Sequence, residues 1–127
     1  RRLVKTNHPS NVEFPGYIKG DVYEGAMTAS DAFFFPSHEE TEGIVVLEAL
    51  ASNQHVVARD IPVYNGWLDN RAASLVSTNE AFVEKLRDVL THKIDKHIAG
   101  YQVAQSRSID SISSQLVAAY HAVLDES

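Results

Sequence analysis

Glu40 and Glu48 stand eight positions apart, with Gly43 between them, in the stretch AFFFPSHEETEGIVVLEALASNQHVVA that runs from Ala32 to Ala58. Carboxylates accept hydrogen bonds from pairs of hydroxyls, and a glycine just ahead of a helix lets backbone N–H groups approach an anion. A ligand with sugar rings around a phosphate suits such a corner. Glu39 and Glu42 share the loop. For them a structural role is sufficient, because acidic side chains before a helix are favoured by its dipole; Ser37-x-x-Glu40 also fits a capping box. Glu48 is the one charge on an otherwise apolar helix from Ile44 to Ser52. Packing on several sides would leave it in need of a partner, either ligand hydroxyls or a buried base such as Arg59.

The elements that must hold these residues can be read from their stops. Pro36 ends an apolar strand from Ala32 to Phe35, and Asn53, which tolerates the left-handed conformation, ends the helix before a second strand from His55 to Ala58. This is one βαβ step of a parallel sheet. Upstream, Val12-Glu13-Phe14 is a short strand closed by Pro15-Gly16, and Asp21 caps a helix to about Ala29. Downstream come a loop holding one short helix, a fourth strand from Ala73 to Val76, and an amphipathic helix from Glu80 to His92 with Phe82, Leu86, Val89 and Leu90 on its apolar face. Two more helices follow, Asp95 to Ser106 and Asp110 to Asp125, the second with Ile112, Leu116, Ala119, Tyr120 and Val123 at helical spacing. Trp67 and the Phe33 to Phe35 run are core candidates. Four strands alternating with helices predict an α/β, Rossmann-like open parallel sheet, one domain over 1–127 with a helical tail at 107–127. Such sheets bind ligands beyond the carboxyl ends of their strands, where the acidic loop lies.

Composition narrows the classes of function. A net charge of −6 and a pI near 5.4 argue against non-specific binding to nucleic acid or to anionic lipid, which needs clustered Lys and Arg. With no cysteine there is no disulfide and no thiolate chemistry, and the six histidines lack a ligand spacing, so no metal site is expected. His92 and His97 are expected at the surface. The Arg1 to Lys5 start has no apolar run after it, which excludes a signal peptide or membrane span there.

The ordered set Pro36-Ser37, Glu40, Gly43, Glu48 and Ala49-Leu50-Ala51 resembles the E-x7-E pattern of family 4 retaining glycosyltransferases, which have the GT-B fold of two Rossmann-like domains. Phe14-Pro15-Gly16-Tyr17 resembles the family's strand and turn near the nucleobase, and Asp60-Ile61-Pro62 the loop after its next strand. The resemblance implies the C-terminal, donor-binding domain of an enzyme that moves a sugar from a nucleoside diphosphate with retention. It places Glu40 beside the donor sugar as the catalytic residue and Glu48 on the ribose hydroxyls. Backbone amides of Thr41, Glu42, Gly43, Ile44 and Val45 would hold sugar hydroxyls and the diphosphate, with Tyr17 and Ile18 near the base. No metal cofactor is implied, because amides and basic side chains replace it.

Thr41-Glu42 stands where the family often has Gly-Phe, Asn53 where it often has Gly and His55 where it often has Pro; the basic residues that grip the diphosphate belong to a segment upstream. The wording from Glu42 to Glu48, with Ile61-Pro62-Val63-Tyr64, is similar to Gram-positive enzymes that glucosylate diacylglycerol. That implies a cytoplasmic enzyme, peripheral at the inner membrane face, whose lipid acceptor is met by another domain. Two consequences are expected of the 127 residues alone: they transfer no sugar, and the open sheet edge beside Phe33 to Phe35 is filled by the Val12 strand or by a second copy in a homodimer. The reading from another class is a non-enzymatic α/β module used for protein–protein contact.

Overall fold

Pro36 and Asn53 do what their chemistry dictates. In a computed structural model that describes residues 9–92 and 97–125, strand β1 (Ala32–Phe35) stops before the proline, and helix α2 (Ile44–Ala51) is closed at Asn53, whose φ is 58°. The Asn53 N–H donates to the Leu50 carbonyl and the Gln54 N–H to that of Ala49, the paired bonds of a Schellman stop. The chain then enters β2 (His55–Arg59), passes a 3₁₀ turn (Pro62–Tyr64) and forms β3 (Ser74–Val76). Helices α1 (Asp21–Ala29), α3 (Asn79–His92), α4 (His97–Ser106) and α5 (Ile109–Asp125) complete the order. The cap of α1 is Gly20, and Asp21 is its first residue. The Arg1 to Lys5 start, the Asp95 helix start and the His97 side chain lie outside the described residues.

The sheet is parallel, in the order β1-β2-β3, with Phe33 opposite Val56 and Ala58 opposite Leu75. Every residue of β2 is buried, as expected of a central parallel strand covered on both faces. Val56 and Ala58 face a core built from Val46, Ala49 and Leu50 of α2 and from Ile61, Tyr64 and Leu68 of the following loop. Val57 faces Phe82 and Val89 of α3. Helix α4 crosses α2 so closely that a Cβ on Gly100 would lie 2.7 Å from Leu50 Cδ2.

Two expectations are corrected here. The sheet of the described residues has three strands, not four, because Val12–Phe14 forms no strand and does not pair with β1. The Val12 N–H instead closes a turn onto the Pro9 carbonyl, so the first residue of the expected strand belongs to a turn. The apolar positions predicted on α5 are helical but not buried: Ile112, Leu116, Tyr120 and Val123 are all exposed. Among the residues expected in the core, Phe34 is partly exposed and packs edge-on against Phe82, while Phe33 stacks on Phe35.

Candidate functional site

The loop from Pro36 to Gly43 leaves the carboxyl end of β1 and delivers the chain to the first turn of α2. Gly43 is the N-cap, at φ 72° and ψ 36°, in the left-handed region that favours glycine. The capping-box reading therefore fails: the helix starts at Ile44, beyond Ser37 and Glu40, and no side chain caps it. Ile44 and Val45 have no intrahelical acceptor for their amides, whereas Val46 donates to the Gly43 carbonyl at 2.9 Å. Glu39, Glu40 and Glu42 are exposed and make no ion pair among the described residues.

Gly43 itself is buried. A Cβ there would lie 3.0 Å from Tyr64 Cε1 and 3.4 Å from its hydroxyl, so the close approach that the glycine permits is taken by the Tyr64 ring. Gly43→Ala should lower stability by about 1–3 kcal/mol, from left-handed strain and the displaced ring. A melting curve unchanged by that substitution would refute the packing.

Glu48 has a partner, but neither its burial nor the partner is as expected. The residue is exposed, because only Val46, Ala49 and Leu50 of α2 are buried against the sheet and α4 while the other side faces outward. Its Oε2 accepts a 2.6 Å hydrogen bond from the hydroxyl of Tyr23, in the first turn of α1. That bond, then burial, push the Tyr23 phenol up to about 12. Arg59 is not near it in bonding terms. Its guanidinium donates to the carbonyls of Pro36 (3.1 Å) and Ser77 (3.0 Å) and to Asn79 Oδ1 (2.9 Å), and it lies over the Phe82 ring.

Tyr17 is exposed, with the Lys19 ammonium 5.0 Å from its ring centre, and Ile18 is half-buried. Both precede α1, the helix that brings Tyr23 to Glu48, so the segment read as the nucleobase neighbourhood is tied to the carboxylate corner through one hydroxyl. Sequence reasoning missed Tyr23, Tyr64 and the triple bonding of Arg59. Only the last had a legible signal: a charged residue at the end of a buried strand must find acceptors where the strand ends. Among the described residues no group of three or more His, Asp or Glu is placed to hold a metal ion, and no helix is long and apolar enough to cross a membrane. A separate cleft is lined by Trp67, Asp69, Arg71 and Gln102, and by none of the acidic loop.

The model of the glycosyl transferases group 1 family matches residues 2–106. The chain belongs to that family. It is 44% identical over 126 residues to a processive diacylglycerol alpha-glucosyltransferase of Acholeplasma laidlawii, a match that covers 98% of this chain and 38% of the relative. A 45-residue match at 47% identity, 35% of this chain and 9% of the relative, is to a sulfoquinovosyl transferase of Arabidopsis thaliana. An alpha-galactosylglucosyldiacylglycerol synthase of Streptococcus pneumoniae is 24% identical over 79 residues, 62% of this chain and 21% of the relative. The chain thus spans well under half the length of these relatives.

Proposed function

We propose that this chain is the donor-binding part of a retaining glycosyltransferase that moves glucose from a nucleoside diphosphate to a diacylglycerol-type lipid. The observation that carries the reading is the 44% identity, over nearly the whole chain, to a diacylglycerol alpha-glucosyltransferase. In the reaction the anomeric carbon exchanges its bond to a diphosphate oxygen for one to the acceptor hydroxyl, releasing the nucleoside diphosphate and a proton. Glu40 lies beside the transferred sugar and orients it. Glu48, held by Tyr23, accepts the ribose hydroxyls, with Tyr17 and Ile18 toward the base. The amides around Thr41, Glu42, Ile44 and Val45 meet sugar hydroxyls and diphosphate oxygens. Gly43 contributes through its conformation, since Tyr64 covers its open side. Binding needs no metal in this reading. The acceptor meets a different domain at the cytoplasmic face of the membrane.

Isothermal titration of the full-length protein with UDP, UDP-glucose and GDP-mannose tests the donor, and transfer of labelled glucose to vesicles containing diacylglycerol tests the acceptor. The expected result is saturable binding of the UDP ligands and labelled lipid product. Failure of all three nucleotides to bind would overturn the reading in favour of a module that uses the fold for protein contact.

A further inference from the structure

Tyr64 is 1% exposed, and its hydroxyl is buried without a hydrogen-bond partner among the described residues. Phenylalanine would fill the same space between Gly43 and the Trp67 ring, 5.4 Å away, without the desolvation cost of an unpaired oxygen. The hydroxyl is therefore a cost in this state of the molecule, and a compensating state should exist in which it is paired. Its surroundings name the partner. Gly43 presses on the ring from the N-cap of α2, and three residues earlier on the same loop stands Glu40, exposed and without an ion pair. Burial first, and the negative charge of Glu40 second, push the Tyr64 phenol up to about 12. A protonated phenol beside a carboxylate is a donor facing an acceptor-only group.

We infer that Tyr64 is a positioning residue for Glu40: its hydroxyl donates to the Glu40 carboxylate when the loop from Ser37 to Gly43 turns inward around a bound sugar donor. The inference rests on the reading of Glu40 as the residue beside the transferred sugar. A free nucleotide gains little from the bond, because the sugar is what draws Glu40 inward. The hydroxyl thus acts on turnover and not on the grip of the nucleotide.

The test is Tyr64→Phe in the full-length protein, beside Glu40→Gln and the double variant. Tyr64→Phe should melt at the same temperature as the parent or higher, bind UDP within about twofold of it, and lose about tenfold in turnover with UDP-glucose, the size of one charge-assisted hydrogen bond. The double variant should be no slower than Glu40→Gln alone, since the hydroxyl works through that carboxylate. Full turnover in Tyr64→Phe while Glu40→Gln is impaired overturns the inference and leaves the reading of Glu40 standing. Additive losses, or a lower melting temperature with a matching loss of UDP binding, also overturn it, because the tyrosine then acts independently or as plain packing. Unimpaired Glu40→Gln overturns the reading itself, and the inference with it.

Discussion

Glu40→Gln and Glu48→Gln, made separately in the full-length protein, should fail in different ways. Both substitutions keep the size of the side chain and replace one acceptor oxygen by a donor. Glu40 is exposed in the loop that leads from β1 to α2 and has no hydrogen bond or ion pair to lose within the described residues. Its loss should therefore leave stability unchanged while lowering turnover about 100-fold, the scale at which a misplaced reacting group is felt. Glu48 is already engaged by Tyr23 at 2.6 Å. An amide oxygen can still accept from that phenol, but the opposite edge then offers N–H groups to ribose hydroxyls that need acceptors. Donor affinity should fall by about 1–3 kcal/mol, with turnover at saturation little changed. Steady-state kinetics and titration with UDP-glucose separate the two effects. Equal and negligible effects on binding and rate from both changes would reject the site. If Glu48→Gln loses folding before it loses donor, the carboxylate is structural.

The difference between these glutamates shows where sequence reasoning holds and where it stops. Pro36 and Asn53 act through their own backbones, so the end of β1 and the end of α2 are where residue chemistry alone puts them. Helical periodicity likewise placed α3 and α5. Whether an apolar stripe is covered is a tertiary matter: α3 buries Phe82 and Val89, while α5 buries none of its residues. The same distinction separates Glu48 from its expected burial, because α2 is apolar nearly all round and yet one side of it faces outward. Val12–Phe14 has strand-like residues, but its first N–H goes to a turn onto Pro9. Residue type alone makes Arg59 a possible partner for Glu48, and the alternation of β2 explains why it is not one. Val56 and Ala58 point to the α2 side, so Val57 and Arg59 point to α3, where Phe82 lies. Which helix covers which face of a strand is not written in the strand.

That placement makes Arg59 a residue whose loss should cost both the fold and the site. Arg59 is buried, yet the three acceptors of its guanidinium are neutral: the carbonyl after β1, the carbonyl after β3 and the Asn79 side chain at the start of α3. A cation at a helix N-terminus is opposed by the helix dipole, and here the Phe82 ring, 5.0 Å from the guanidinium carbon, offsets part of that cost. What is gained is a clamp across the carboxyl ends of all three strands, in a fork geometry that only arginine provides. Arg59→Leu leaves those acceptors to water and loosens Pro36, the residue from which the loop carrying Glu40 departs. We expect a loss of about 2–4 kcal/mol in stability, together with slower sugar transfer in a residue that touches no ligand. Arg59→Lys keeps the charge, but a single ammonium cannot span the three acceptors, so about half of the loss should remain. Thermal denaturation of the full-length variants, read on the transition of this unit, gives the first number and steady-state turnover the second. A leucine variant as stable and as fast as the parent would mean that the loop is held from elsewhere and that the guanidinium only fills space over Phe82.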